Sequence, residues 1–261
     1  HQVHLADVQN AAPPHPRHAG IDLGDDPIGG EGGRETDVHR HPPAEPAEIV
    51  RGGGLDEGHV DRHAPAAEEA RYLSGMAAGE RTETGRIGYV AAFAIPEVLR
   101  GINAFTLGVR EVNPEAEVQV VWTSTWFDMT KEGDAAKALL DAGADVIAMH
   151  QDTPAPGQAA EAADAGWVGY NTDMSEFAPN GWLTAATWDW GPYYLATAEA
   201  VKAGTWAPEA YYGNMADGMV NLASFGPSVS EEMQALIETR KQEIIDGSFA
   251  VFTDPIVNQA G

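Results

Sequence analysis

The chain has 261 residues, of which 43% are hydrophobic, and its formal net charge is −25. This charge argues against a nucleic-acid partner, because phosphate binding needs clustered Lys and Arg and only four Lys are present. The absence of Cys excludes a disulfide framework and a thiol site. No apolar run approaches the roughly 20 residues of a membrane span, and no signal peptide is recognisable at the start of the sequence.

Residues 1–71 differ in composition from the rest of the chain. They hold eight of the nine His and eight of the seventeen Pro, but no Phe, Trp, Tyr, Met or Lys. Because so few apolar side chains cannot offset the entropy of ordering the chain, we predict that residues 1–66 are disordered or an out-of-frame translation. Translation of the source DNA in the other frames tests the second idea, and the absence of a better frame would contradict it.

The histidines of this segment allow an alternative interpretation. His39 with His41, and His59 with His63, could in principle bind zinc. No Cys accompanies them, and no predicted element would hold the ligands in a tetrahedron. We therefore predict no metal site and no cofactor.

From Glu68 onwards, short β-branched runs alternate with helical patterns, as in a parallel sheet whose strands are connected by helices. The predicted strands cover residues 86–93, 117–123, 145–150, 167–171, 182–188, 219–225 and 249–253. The predicted helices cover residues 98–112, 130–141, 157–165, 192–203 and 230–246.

Polar and aromatic residues follow the predicted strands, where an open parallel sheet forms its ligand crevice. Aromatic faces beside carboxylates and amides suit a planar ligand that forms hydrogen bonds, such as a purine. Structural alternatives remain open for these residues. Trp126 and Trp188 could be packing residues, and Asp128 and Asp173 could cap helices. We expect His150 to be a structural histidine rather than a catalyst.

An enzyme of this size would need a recognisable nucleophile, metal cluster or phosphate-binding loop, and the sequence contains none of the corresponding motifs. Asp152, Asp173, Asp189 and Asp217 could surround a metal ion in a nucleoside-hydrolysing site. The dense N-terminal aspartate cluster of such enzymes is missing from the sequence. We therefore predict no catalytic residues.

Nine motifs occur in order along the second part of the chain. They are YLSGMAAG at 72–79, GRIGYVAAF at 85–93, IPEV at 95–98, GINAF at 101–105, WFD at 126–128, GADVI at 143–147, GYN at 169–171, WGPYY at 190–194 and DGMV at 217–220. This series resembles the basic membrane protein (BMP) family of ABC-transporter substrate-binding proteins. The similarity extends over roughly residues 68–261.

The resemblance implies a type I periplasmic-binding fold of the α/β class, with parallel sheets flanked by helices. In this fold two lobes close on a small molecule, in this family a purine nucleobase or nucleoside. The resemblance implies that Asp217 contacts the ribose or the base and that Trp188 or Trp190 stacks on the base. The other residues that it places in the crevice are Phe93, Trp126, Asp152 and Asn171.

The same resemblance implies an intact second lobe and an incomplete first lobe. We expect residues 67–84 to be a remnant helix of lobe one, residues 85–206 to form lobe two, and residues 207–261 to end lobe two and return toward lobe one. The family places the first strands of lobe one, with a base-stacking aromatic, where residues 1–66 contain no aromatic residue. We therefore expect weak or absent ligand binding by this chain.

The predicted function is that of an extracytoplasmic solute-binding component of an ABC importer, located in the periplasm or at the cell surface. Its partners would be the small-molecule ligand and the transporter permease, with membrane contact only through the permease or a lipid anchor. A ligand-sensing regulatory domain of the same fold is the first alternative. A nucleoside-hydrolysing enzyme is the second.

Overall fold

The computed structural model describes residues 63–253. In chain order the elements are β1 (His63–Pro65), α1 (Ala67–Arg81), β2 (Arg86–Ala91), α2 (Pro96–Val112), β3 (Glu117–Trp122), α3 (Met129–Asp141), β4 (Val146–His150), α4 (Ala155–Ala162), β5 (Gly166–Asn171), β6 (Trp182–Trp188), α5 (Gly191–Ala203), β7 (Tyr211–Gly213), β8 (Val220–Leu222) and α6 (Glu231–Ile245). The predictions for residues 1–62 lie outside the described residues. So do three histidines of the zinc alternative and the side chain of the fourth, His63.

Six strands form the main sheet in the order β3-β2-β4-β5-β6-β8. The pairs among β2 to β6 are parallel, as predicted, whereas β8 runs antiparallel to β6. Strand β8 is also shorter than the predicted strand at 219–225. A second, two-stranded parallel sheet of β1 and β7 was not predicted.

The predicted strand at 249–253 is wrong, because this segment packs against helices instead of pairing with the sheet. The backbone N–H groups of Ser248 and Phe249 both donate to the carbonyl oxygen of Glu243. The ring centroids of Phe249 and Tyr72 are 5.2 Å apart, and the Arg240 guanidinium lies 4.0 Å from the Phe249 ring centroid. The apolar residues that suggested a strand are therefore explained by packing against α1 and α6.

Helices cover both faces of the main sheet, which explains why its central strands are buried. On one face Tyr89 of β2 contacts Phe105 of α2, with ring centroids 5.4 Å apart. On the other face Gly88 of β2 lies against Leu139 of α3. Successive strand residues point to opposite faces, so a strand covered on both sides is apolar throughout.

Helices α1 and α2 pack with their backbones in close contact through two glycines. A Cβ on Gly75 would lie 2.1 Å from the carbonyl oxygen of Phe105, and one on Gly108 would lie 1.9 Å from that of Tyr72. Any larger residue would force the helices apart. Helix α1 also contacts β5, β6, β8 and α6. Its main contacts are therefore with the six-stranded sheet unit, whereas the family resemblance predicts a remnant helix of lobe one.

At the edge of the sheet where the parallel strands begin, Asp145 holds the turn between α1 and β2. Its carboxylate accepts hydrogen bonds from the Thr82 hydroxyl at 2.5 Å and from the backbone N–H groups of Glu83 at 2.7 Å and Thr84 at 2.9 Å. Burial alone would raise the pKa of Asp145, but these hydrogen bonds outweigh it and hold the pKa below its ordinary value.

We expect Asp145→Asn to lower the free energy of unfolding by about 1–2 kcal/mol at pH 7, because an amide cannot accept all three hydrogen bonds. A carboxyl group with a depressed folded-state pKa contributes stability above its unfolded pKa of about 3.9, and this contribution is lost as the pH falls through the folded-state pKa. Urea unfolding at pH 7 and pH 3 should therefore show a smaller difference between variant and wild type at the lower pH. Equal stability at pH 7 would contradict this assignment.

Candidate functional site

An aromatic row runs along the edge of the sheet where the parallel strands end. The ring centroids are 5.6 Å apart between Phe93 and Trp126, 6.0 Å between Trp126 and His150, 4.1 Å between His150 and Tyr170, and 5.7 Å between Tyr170 and Trp188. Phe93 and Trp126 are 37% and 36% exposed, whereas His150 and Tyr170 are buried. The Phe93 end of the row is therefore partly exposed, its middle is buried, and Trp188 at the other end is half-buried.

A chain of hydrogen bonds connects the two ends of this row. The Trp188 indole N–H donates to Asn171 Oδ1 at 2.8 Å, and the Asn171 amide donates to Asp152 Oδ1 at 2.9 Å. The backbone N–H of Asp152 donates to the carbonyl oxygen of Trp126 at 3.1 Å. Asn171 has a φ of 69°, in the left-handed region that Asn tolerates better than most residues. Five of the seven predicted ligand residues are thus brought together, with Phe93 as the fifth.

Asp152 lies at the surface of this edge, next to the exposed ring of Trp126. Partial burial of its carboxyl group raises its pKa, and the hydrogen bond from Asn171 opposes this effect only in part. A carboxyl group with a raised pKa at the end of a parallel strand is typical of a binding or catalytic site.

A buried guanidinium lies against the middle of the row. Arg71 of α1 lies 4.1 Å from the ring centroid of Tyr170 and 5.8 Å from that of Tyr89. Burial, together with Arg71 and Arg100, holds the pKa of His150 well below its ordinary value, which keeps this imidazole neutral and favours the structural interpretation. Within residues 63–253, the guanidinium nitrogens of Arg71 and the ring nitrogens of His150 have no hydrogen-bond partner. Buried polar groups are usually satisfied, so ordered water or a ligand would have to supply these partners.

The other two predicted ligand residues, Trp190 and Asp217, lie in a second aromatic cluster. The Trp190 ring stacks on Tyr194 with centroids 5.8 Å apart, and Tyr193 stacks on Tyr211 at 4.6 Å. Trp190 also contacts Tyr193 edge to face at 6.0 Å. Burial and the Asp217 carboxylate, which is hydrogen-bonded to the Tyr211 hydroxyl, raise the pKa of Tyr211.

Asp217 also holds the turn that precedes β8. Its Oδ1 accepts hydrogen bonds from the backbone N–H groups of Asn214 at 3.1 Å and Met219 at 3.0 Å. The carbonyl oxygen of Met219 accepts from the backbone N–H of Asp189 at 2.9 Å. Since Asp189 separates Trp188 from Trp190, this bond joins the second cluster to the aromatic row.

The capping alternative is confirmed for Asp128, whereas Asp173 precedes a short 3₁₀ helix (Ser175–Phe177) whose N-cap is Met174. Asp128 accepts hydrogen bonds from the backbone N–H groups of Thr130 and Lys131, both at 3.1 Å, and is the N-cap of α3. Asp173 accepts from the backbone N–H of Ser175 at 2.9 Å. Within the described part of the chain, no three His, Cys, Asp or Glu side chains come close enough together to hold a metal ion. The carboxylates of the hydrolase alternative are therefore not gathered at one point.

Several residues around the row were not predicted as part of a site. Arg71 and Tyr170 lie at its buried middle, and Glu132 of α3 accepts a hydrogen bond from Thr153 of the loop that carries Asp152. The signal for Arg71 is a single charged residue in the otherwise uncharged segment 70–79. Tyr170 lies within the GYN motif at 169–171, which is one of the motifs that carry the family resemblance.

A family model described as PnrA-like ABC transporter substrate-binding proteins (Bmp) matches residues 66–250. The chain belongs to the Bmp family. The match extends from the start of α1 to the end of α6, so it includes both the aromatic row and the second cluster. Membership in a family of substrate-binding proteins agrees with the prediction of a binding protein rather than an enzyme.

Two curated relatives carry the names of different ligands. A putative ABC transporter glucose-binding protein of Haloferax volcanii is 42% identical over 194 residues, which are 74% of this chain and 50% of the relative. A purine-binding protein of Brucella abortus is 40% identical over 193 residues, which are 74% of this chain and 55% of the relative. The chain therefore spans about half the length of these relatives.

Solved structures of low sequence identity confirm the predicted α/β fold of a periplasmic binding protein. An ABC-transporter solute-binding protein from Conexibacter woesei has a TM-score of 0.60 and 24% identity, with 73% of this chain and 66% of that chain covered. A transcriptional activator of the comK gene from Bacillus halodurans has a TM-score of 0.65 and 23% identity, with 72% and 65% covered. Within the described residues, no helix is long and apolar enough to cross a membrane.

The opposite pKa shifts of Asp152 and Asp145 predict opposite effects of the same substitution. A carboxyl group whose folded-state pKa is raised contributes less stability as the pH rises above its unfolded pKa, so removal of the charge relieves a cost at pH 7. We expect Asp152→Asn to have an equal or higher melting temperature than wild type at pH 7, whereas Asp145→Asn should have a lower one. Differential scanning calorimetry measures both, and a clear loss of stability in Asp152→Asn would show that Asp152 is a structural residue.

Proposed function

We propose that the chain is the solute-binding component of an ABC importer and that it binds a purine nucleobase or nucleoside at the aromatic row. The observation that carries this proposal is the pair of partly exposed rings, Phe93 and Trp126, beside the hydrogen-bonded side chains of Asp152 and Asn171. Membership in the Bmp family and the name of the Brucella abortus relative support it.

The two halves of this arrangement would contribute different parts of the affinity. Stacking of a base on an aromatic ring is worth about 1–3 kcal/mol and depends little on which base it is. One oxygen of Asp152 accepts from Asn171, and the other can accept from an exocyclic amine or a ribose hydroxyl. The rings would thus select a planar ligand, and Asp152 would fix its orientation.

Trp188 at the end of the row and the second cluster would provide the remaining contacts that the family resemblance implies. In this proposal Trp188 or Trp190 stacks on the base from the same edge, and Asp217 contacts the ribose or base. The bond between Asp189 and Met219 keeps this cluster next to the row. The six-stranded sheet unit would act as the second lobe of a clamp, and closure by a first lobe would remove the ligand from water.

The name of the Haloferax volcanii relative makes glucose the alternative ligand to test. Aromatic faces also stack on sugar rings, so the exposed rings do not by themselves choose between the two. The importer role implies a permease partner and an extracytoplasmic location, with membrane contact through the permease or a lipid anchor.

The second candidate function is that of a ligand-sensing regulator. A transcriptional activator of Bacillus subtilis is 27% identical over 175 residues, which are 66% of this chain and 54% of the relative. Protease added to intact cells distinguishes the two functions. An extracytoplasmic receptor is degraded under these conditions, whereas an intracellular regulator is protected until the cells are lysed.

Binding by the 261-residue chain tests the proposed ligand class. We expect adenine, adenosine, guanosine and inosine to bind weakly, with dissociation constants above about 10 μM, because the described residues form one side of a clamp. Glucose should bind more weakly still. Saturation-transfer NMR detects such binding, and isothermal titration calorimetry measures it.

Trp126→Ala should weaken purine binding by about 5- to 150-fold, which corresponds to the loss of one stacking contact. The matched control is Trp206→Ala, because Trp206 is 52% exposed and follows the end of α5 that is distant from the row. An equal loss in both variants, or glucose binding without purine binding, would contradict the proposed site.

A further inference from the structure

One loop carries the exposed ring of Trp126, a second loop carries the Asp152 carboxyl group, and Glu132 of α3 is hydrogen-bonded to both loops. The loop after β3 carries Trp126, and the loop after β4 carries Asp152. One carboxyl oxygen of Glu132 accepts from the backbone N–H of Asp128 at 2.8 Å. The other accepts from Thr153, at 2.5 Å from the hydroxyl and 3.2 Å from the backbone N–H. Glu132 therefore bonds to the end of one loop and the middle of the other.

The burial of this contact distinguishes it from a surface helix cap. Glu132 and Thr153 are both 0% exposed. A buried carboxyl group without partners is costly, and here three donors satisfy it. Asp128 completes the contact because its own side chain caps α3 while its backbone N–H donates to Glu132. The start of the helix and both loops thus form one hydrogen-bonded unit.

Two further contacts join the same loops nearer the ligand edge. The backbone N–H of Asp152 donates to the carbonyl oxygen of Trp126 at 3.1 Å, and the Gln151 amide donates to the Thr123 hydroxyl at 2.5 Å. Asp152 immediately precedes Thr153, the residue that Glu132 holds. A shift of Thr153 would therefore be transmitted directly to the Asp152 carboxylate.

We propose that Glu132 is a positioning residue of the ligand site, which sets the separation between the Trp126 ring and the Asp152 carboxylate. It does not contact the ligand. This inference rests on the proposed function, because it assigns the fixed separation to the recognition of a purine that stacks on Trp126 and donates to Asp152. Loss of the contact should lower affinity through geometry while leaving the binding side chains in place.

The chain offers a matched control at the opposite edge of the sheet. Glu161 of α4 accepts hydrogen bonds from the backbone N–H groups of Asn180 at 3.1 Å and Gly181 at 2.8 Å, and from the Asn180 amide at 2.5 Å. This carboxyl group also ties a helix to a loop through three donors, but that loop leads into the start of β6. Its loss should affect stability without affecting the ligand edge.

The experiment compares Glu132→Gln with Glu161→Gln in the full chain. An amide has one acceptor oxygen, and its N–H₂ group would face the N–H or O–H donors that the carboxyl group now accepts. We expect both variants to melt at lower temperature than wild type. Only Glu132→Gln should weaken adenosine and guanosine binding, by about tenfold, the change that corresponds to one lost hydrogen bond.

Thr153→Val provides a second route to the same contact if Glu132→Gln folds poorly. It removes the hydroxyl donor and keeps a side chain of similar size. Its affinity should fall by a smaller factor than that of Glu132→Gln. The double variant should lose less affinity than the product of the two single losses, because both substitutions break one contact. A double variant whose losses multiply would overturn the inference.

The Trp126 indole N–H signal in a ¹⁵N-correlated NMR spectrum, assigned by its absence in Trp126→Ala, reports the loop geometry without ligand. This signal should move in Glu132→Gln and Thr153→Val but not in Glu161→Gln. If Glu132→Gln binds purines as wild type does, or loses no more affinity than Glu161→Gln, the inference is wrong and the proposed function stands. If wild type binds no purine, the proposed function fails, and an unmoved Trp126 signal would then also overturn the positioning role.

Discussion

The parallel alignment of β2 to β6 is the constraint on which the candidate site depends. Because these strands run in the same direction, the loops after them meet at one edge although they are far apart in the sequence. Phe93, Trp126, Asp152, Asn171 and Trp188 each follow or end a different strand of this set. Helices cover the two faces of this sheet, and two glycines let α1 and α2 approach each other closely.

Three carboxyl groups show pKa shifts of opposite direction at the two edges of the sheet. Where the strands begin, Asp145 and Glu161 accept several hydrogen bonds from turns, and the pKa of each is lowered. Where the strands end, partial burial raises the pKa of Asp152, and the guanidinium of Arg71 lies buried against aromatic rings. In the proposed function, Asp152 would trade stability for contact with a ligand, as is common at binding sites.

Family membership concerns the type of protein, whereas the geometry of the candidate site concerns its class of ligand. The Bmp match defines the type of protein, and the curated relatives, whose names include purine and glucose, share about 40% identity with this chain. The ring faces of the aromatic row suit either class of ligand. In the proposed site, discrimination between them would come from polar groups such as Asp152, which the proposed role of Glu132 would hold in position.

Much of the fold was accessible from the sequence, because the alternation of apolar runs and helical periods is a local property. Five strands of the main sheet and the helices between them occur close to their predicted positions. The strand predictions failed where tertiary contacts, and not local sequence, determine the structure of a segment. The segment at 249–253 has the composition of a strand, but α1 and α6 offer its Phe249 a packing surface and the sheet offers it no partner. Strand β8 reverses direction because the chain turns at 214–219 before it meets β6.

The sequence by itself determined the class of the fold, the family and the residue types at the strand ends, since motifs and periodicity are written along the chain. Only the tertiary structure decided which of those residues meet. Five of the predicted ligand residues lie in the aromatic row or in the hydrogen-bond chain beside it. Trp190 and Asp217 lie in a second cluster. It also revealed Arg71 and Glu132, whose roles depend on burial and on partners up to about a hundred residues away. Such contacts leave no local pattern, because a buried charge is recognised only by what surrounds it.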